Sequence, residues 1–303
     1  MNNPYLSNPP KLISSFVCHV DILGYSQLSK EAISSGNGND FLNKIRIALT
    51  KAYDRVRESS KGWKNSNRFS IKVFTDNIVV GYPVRNFQSS LGEGELGHIF
   101  SVFSEFQVAL AMEGFLVRGG IAFGSHYMDD DIVFGDGLLE ALKLDISGGA
   151  PKVSLAPSVV KILQRHLGFY SEPEHSPQSH DLLEDSDGSI FINYLENAFI
   201  AFPDAGIFFE VFEKHRNTII DGLKKYSGLP DVRAKYEWAA RYHNFVCEDF
   251  QNKNPVPTSP DADEIYAAAA IEARRLSDYI IDIESLAPAP GRLKLSTIRP
   301  VQS

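Results

Sequence analysis

The chain has 303 residues, 43% of them hydrophobic and 22% charged, with a formal net charge of −8. That is the composition of a folded chain with a sizeable core, long enough for one large domain or two ordinary ones. Clustered Lys and Arg that would neutralise a phosphate backbone are missing, which argues against nucleic acid as a partner. The two cysteines, Cys18 and Cys247, are too few for a disulfide framework or a structural zinc site and point to reducing, cytoplasmic surroundings. No apolar run approaches the roughly 18 residues of a membrane span, and the polar, proline-containing start does not read as a secretory signal.

Residues 12–20, LISSFVCHV, read as a buried strand that runs into an acid, Asp21. Gly24 gives a turn into a short helix. Over residues 39–58, Leu42, Ile45, Leu49, Ala52 and Val56 recur at steps of three and four, which predicts a helix with one apolar stripe. KGWKNSN is a polar connection. FSIKVFT and NIVVGYP predict two strands separated only at Thr75-Asp76-Asn77, hence a hairpin. Residues 86–97 read as a loop, and Ile99 to Glu113 as a helix with Ile99, Phe103, Phe106 and Leu110 on one side. FLVRGGIAFGSHYM is a strand with an early double glycine, Asp129 to Asp131 a solvated turn, and IVFG the start of another strand. GLLEALKLD is a short helix, and PKVSLAPSVVKILQRHL a strand followed by a helix.

The order βα(α)ββαββα predicts an α+β fold related to the ferredoxin-like split βαβ arrangement, over residues 12–166. Its strands are mostly hairpin neighbours, which argues against a doubly wound parallel sheet. Residues 167–253 read as a polar exposed loop at 170–190, a short strand FINYL, and two helices at about 205–226 and 230–250 that pack on the core. Residues 254–303 read as a helix-breaking linker, a last helix near 262–275 and a tail loosely held beyond Leu286.

Some patterns are set aside. Gly92-Glu-Gly94-Glu-Leu-Gly97 matches a dinucleotide fingerprint but follows a polar loop instead of a strand, with glutamates where a pyrophosphate would lie. Asp185-Ser-Asp187-Gly188 resembles part of a calcium loop, yet its end positions, Leu183 and Tyr194, are not ligands; a turn before a strand is the simpler reading. His175 and His180 lie in a loop without a cysteine nearby.

Asp21 ends an apolar strand and Asp76 stands at a hairpin tip, positions where a carboxylate is exposed and rigidly held, suited to a hard cation. Around them, VDILGYS at 20–26, IKVFTDNIVV at 71–80, VRGGIAFG at 117–124 and VFGDGLLEALKLD at 133–145 follow one another in an order and spacing that resemble the class III nucleotidyl cyclase catalytic domain, over about residues 15–157. The resemblance implies a ferredoxin-like βαββαβ core, mostly antiparallel, with a helical C-terminal extension. It implies that Asp21, Asp76 and the carbonyl of Ile22 hold two Mn²⁺ or Mg²⁺ ions, that Arg118 grips the phosphates, and that Tyr25 and Ser26 of the first motif lie beside the substrate. Lys72, four residues before Asp76, stands where the family reads the base. Because the family builds its sites between two antiparallel subunits, a homodimer follows.

The departures narrow the expectation. Leu139 replaces the family's Asn, Lys143 its transition-state Arg, and Ile132 its purine-reading acid. The sequence is more similar to the pyrimidine cyclases of bacterial antiphage (Pycsar) systems, which share DILG[YF]S, TDN, VRGGIxxG, EAxxL[DE] and a KYxW…YHN stretch, here Lys235-Tyr236-Glu-Trp238 and Tyr242-His243-Asn244. That implies conversion of UTP or CTP to the 3′,5′-cyclic monophosphate, with the product acting on a separate effector in phage defence. Lys72 keeps an adenylate cyclase open as an alternative, and Leu139 with Lys143 an inactive nucleotide-binding module. Tyr236, Trp238 and Tyr242 read as helix packing.

Overall fold

The computed structural model describes residues 3–61, 69–85, 90–146, 149–176, 178–196, 205–254, 264–283 and 289–294. The first part of the chain runs β1 (Ile13–Ile22), α1 (Tyr25–Ser34), α2 (Gly38–Lys61), β2 (Ser70–Phe74), β3 (Asn77–Pro83), α3 (Glu93–Met112), β4 (Val117–Met128), β5 (Val133–Phe134), α4 (Asp136–Ile146), β6 (Val153–Leu155) and α5 (Pro157–His166). Among the described residues these strands give the sheet order β2-β3-β1-β4-β6, with β5 folded back on β4. β1 pairs antiparallel with β3 and β4 on its two sides, which is the ferredoxin-like βαββαβ arrangement; only β4 and β6 run parallel.

β1 is central because its sequence suits burial on both faces. Phe16, Cys18, Val20 and Ile22 join a core with Ile45, Ala48 and Ala52 of α2 and with Leu96, Ile99, Phe100 and Phe103 of α3. Val17 points the other way, into a cluster with Tyr5, Val79, Tyr127 and Met128. On that second face α4 lies across β1 and β4. A row of small residues makes room for it. A Cβ at Gly120 would stand 2.6 Å from Leu144 Cδ1 and 2.8 Å from the Ala141 carbonyl, and Ala122 packs on Ala141. The double glycine of β4 is therefore the groove that seats a helix, not a break in the strand.

The sheet continues beyond the core. β7 (Leu182–Glu184), β8 (Ile190–Ile192) and β9 (Gly291–Arg292) extend it in the order β6-β8-β7-β9. The loop expected at 170–190 thus contains β7, together with a short helix α6 (Gln178–Asp181), because Leu182 and Leu183 are fully buried apolar neighbours. The tail expected to be loosely held is pinned in part: Arg292 pairs with Glu196 and Asp249. Asp185 to Gly188 form the turn of the β7–β8 hairpin, as the simpler reading of that motif expected. The polar connection at residues 61–67 lies mostly outside the described residues, as do 86–89 of the expected loop; residues 93–97 of that loop are the first turns of α3, entered through Gly92 at φ 71°. In α2 the stripe is partial, since Leu42 is exposed while Ile45 and Ala52 are buried.

The extension is α7 (Ala205–Lys225), α8 (Pro230–Lys253) and α9 (Glu264–Arg275). Its core is a chain of buried polar rings. His243 Nε2 lies 3.0 Å from the Tyr279 carbonyl, which can only accept, so that nitrogen carries the proton. Its Nδ1 then accepts from His215 Nδ1 at 2.9 Å, and His215 Nε2 accepts from the Tyr194 hydroxyl at 2.7 Å. No helix among the described residues is long and apolar enough to cross a membrane.

This chain needs both imidazoles neutral. Burial pushes His243 from its ordinary 6.5 down to about 4, and burial with the neighbouring His243 lowers His215. The unfolded chain takes up these protons below about pH 6.5 and the folded chain does not, so stability is full above that pH and falls as pH drops towards 4. His243 alone accounts for about 3 kcal/mol of that loss. Urea denaturation between pH 7 and 4.5 will show the decline, and His243→Gln will shrink its slope; an unchanged slope contradicts the neutral pair.

Candidate functional site

The register of three adjacent strands builds the site. Asp21, at the end of β1, faces Asn77 of β3 on one side and Arg118 of β4 on the other. Gly24, at φ 75°, turns the chain sharply off the sheet after Asp21, a conformation that costs glycine little. At the β2–β3 tip Thr75 takes φ 54°, which strains a β-branched residue. Its hydroxyl donates to Asp76 Oδ1 at 2.6 Å, and Asn77 Nδ2 donates to the same oxygen at 3.2 Å. The strained turn therefore aims Asp76 at Asp21, and the two carboxyl groups come within hydrogen-bonding reach.

Arg118 answers the acids. Its Nη2 donates to Asp21 Oδ2 at 3.1 Å, and its Nε stands 2.9 Å from Asp145 Oδ1. Asp145 comes from the last turn of α4, seated there by the small-residue groove. Its second oxygen is 3.7 Å from His19 Nδ1, and His19 hydrogen-bonds Asn77. Asp21, Asp76, Asn77, His19, Asp145 and Arg118 thus close a ring of polar contacts across β1, β3, β4 and α4.

The ring holds three carboxyl groups against one guanidinium, and the electrostatics follow. Burial, then the Asp76 carboxyl, push Asp21 up to about 7, with Arg118 pulling the other way. Burial raises Asp145 against the pull of Arg118 and His19. Lys235 of α8 is lowered by burial and next by the charge of Arg118, so a second cation lies within electrostatic reach of the acids. Beside Arg118 opens a cavity of about 390 Å³, also lined by Lys152, Ser154, Asp185, Ser189 and Trp238. Lys152 is ion-paired with Asp185, and Trp238 Nε1 donates to the same carboxylate at 2.8 Å.

Of the residues expected at the site, Asp21, Asp76 and Arg118 converge. Ile22 is fully buried, which leaves its backbone carbonyl as the group it can offer. The others stand elsewhere within one chain. Lys72 donates to the carbonyls of Asp129 and Asp130 at 3.1 and 2.7 Å and lies over Phe74. Tyr25 packs on Phe41 and lines a groove between α1 and α2 that contains none of the other expected site residues. Ser26 and Lys143 are exposed. Asp145, His19 and Lys235 were not anticipated as site residues. Asp145 carried a signal: it lies four residues after the buried Ala141, a polar residue on the inward stripe of a helix. Trp238, expected to pack, does so on Phe191 and Tyr242, and its indole N–H is used as well.

An Asp–Asp pair with a backbone carbonyl is an all-oxygen donor set. Mg²⁺-type ions are held by one or two carboxylates completed by water and phosphate, so two adjacent acids, one of them raised by burial and by its neighbour, fit such a cation. Among the described residues no group of three or more His, Cys, Asp or Glu side chains is placed to hold a metal ion on its own. Site and sheet together define an α+β, ferredoxin-like protein with a paired-carboxylate centre at the ends of its central strands.

No family model and no curated protein matches the chain. Among solved structures, one that it is similar to is described as a class III adenylyl cyclase-like ATP-binding protein from Pseudomonas aeruginosa. The match covers 53% of this chain and 37% of that chain, at 9% identity and a TM-score of 0.37. The chain thus spans well under half of that neighbour's length, and a likeness this small adds nothing to the description of the site.

If Asp76 is held against Asp21 at a cost, removing its charge will stabilise the protein. Asp76→Asn keeps an oxygen for Thr75 and Asn77 and will raise unfolding free energy by about 1 kcal/mol in denaturant titrations at pH 8. A loss of similar size contradicts the repulsive pair.

Proposed function

We propose that the protein is a nucleotide cyclase that closes UTP or CTP to the 3′,5′-cyclic monophosphate. The ribose 3′-oxygen bonds to the α-phosphorus, the bond from that phosphorus to the bridging oxygen breaks, pyrophosphate leaves, and the hydroxyl proton departs to solvent. The observation that supports this is the convergence of Asp21, Asp76 and Arg118 at the ends of adjacent strands. Phosphoryl transfer asks little covalent chemistry of a protein; it asks for positioning and charge neutralisation.

Asp21 and Asp76, with the Ile22 carbonyl, are the residues to hold Mn²⁺ or Mg²⁺, two ions per site. Such ions, when bound, would supply activation of the attacking hydroxyl and neutralisation of the triphosphate. Arg118 supplies the fixed cation for the phosphates, and its planar fork suits them better than a lysine. Lys143, exposed on α4, would add charge for the substrate, and Tyr25 and Ser26 open α1 just after Asp21. The local charge also answers the −8 of the chain: cations at the site draw in the anion that the overall field does not.

A homodimer is supported by exposed apolar side chains on the two hairpins and α4: Val73, Phe74, Ile132, Phe134 and Leu139. Lys72 sits among them as the base reader offered to the partner's substrate. Ile132 is exposed where a purine-reading acid belongs in the family, which favours a pyrimidine, and Leu139 is exposed where a ribose-orienting Asn belongs. The role that goes with this reading is a cytoplasmic one in phage defence, with the cyclic nucleotide acting on a separate effector. A second reading, nucleotide binding without turnover, draws on the same exposed Leu139.

Incubation of the purified protein with each of the four NTPs and Mn²⁺, followed by product mass measurement, will yield cyclic UMP or cyclic CMP. Asp21→Ala and Asp76→Ala will each lower turnover by roughly a thousandfold or more, and Arg118→Ala by about a hundredfold. Product from ATP alone overturns the pyrimidine reading, and full activity in either Asp variant overturns the site.

A further inference from the structure

Arg118 has a second acceptor waiting. Asp145 Oδ1 lies 2.9 Å from Arg118 Nε, yet the N–H of that nitrogen is directed at Asp21 Oδ2, 3.3 Å away. Asp145 Oδ1 is thus buried and holds no directed hydrogen bond, and neither does the facing His19 Nδ1. A buried carboxylate oxygen without a donor is costly, and here a small rotation of the guanidinium fills it. The same rotation uncovers Asp21.

We propose that Asp145 is the alternative seat of the Arg118 guanidinium, which passes from Asp21 to Asp145 when a divalent cation takes Asp21. Asp145 is then a positioning residue: it touches neither metal nor phosphate, and it keeps Arg118 at the site while freeing the metal ligand. This rests on the reading of Asp21 and Asp76 as metal ligands. The chain meets the mechanical requirements. Asp145 is held in place from beneath by α4 in the Gly120–Ala122 groove. Arg118 already borders the open cavity beside Lys152, so the new seat keeps it facing space that phosphate can enter. Without Asp145, Arg118 has Asp21 as its remaining partner in the ring and competes with the metal outright.

Mn²⁺ binding to the full chain, followed by electron paramagnetic resonance of free Mn²⁺, tests this without turnover. Relative to wild type, Asp145→Asn will weaken Mn²⁺ binding about tenfold, the equivalent of about 1.4 kcal/mol, because Arg118 stays on Asp21. Arg118→Met removes the competitor and will tighten binding. In the Arg118→Met background, Asp145→Asn will have no further effect. A loss that persists in the double variant shows Asp145 acting through the fold instead and overturns the proposal. Binding to wild type with an unchanged Asp145→Asn overturns this proposal alone. Absence of Mn²⁺ binding to wild type, or binding indifferent to Asp21→Ala, overturns the metal reading and the proposal with it.

Discussion

The guanidinium of Arg118 between Asp21 and Asp145 is the interaction on which the site depends. One cation stands among three carboxyl groups, in a place dry enough that burial is the largest cause raising two of them. Unpaired, those acids would repel and draw water into the end of the sheet. Paired, they fix the mutual position of β1, β4 and α4 where the sheet is open. Three carboxyl groups against one guanidinium leave the arrangement short of positive charge.

The glycines of β4 serve this interaction. Gly119 lies so close to β1 that a Cβ there would meet the His19 carbonyl, and Gly120 accepts the last turns of α4. Asp145 reaches Arg118 because nothing larger than hydrogen stands between strand and helix. The C-terminal extension adds a second layer of support. Trp238 fixes Asp185, which fixes Lys152 at the cavity beside Arg118, and the sheet itself runs on through β8 and β7.

The fold was largely legible in the sequence because its signals were local and strong. FVCHV alternates between two apolar faces, Thr75-Asp76-Asn77 leaves room only for a turn, and Ile99, Phe103, Phe106 and Leu110 mark one helix. The failures share a cause. β7 and β9 are two or three residues long and borrow their order from partners far away in the chain, which no local pattern carries. The start of α3 was hidden by glycines that read as a loop. Strand-end position singled out Asp21 and Asp76, and motif order Arg118, and the fold brings these three together. The bond from Arg118 to Asp145 spans a helix–sheet contact; one acid on an inward stripe, at the last position of the EAxxL[DE] pattern, was its signal, and neither feature names a partner. Lys72 held by the Asp129 and Asp130 carbonyls was invisible for the same reason: alternation gives a face, not the loop that folds over it.

The central claim, that Asp21 and Asp76 hold divalent metal against a triphosphate at a dimer interface, is tested most directly by a crystal structure with Mn²⁺ and a non-cyclisable UTP analogue. Anomalous peaks about 2 Å from the Asp21 and Asp76 carboxylates, with the triphosphate on Arg118 and a second subunit over the β2–β3 hairpin, are the result expected. Metal bound elsewhere, or Arg118 still seated on Asp21 in a monomer with nucleotide present, would contradict it.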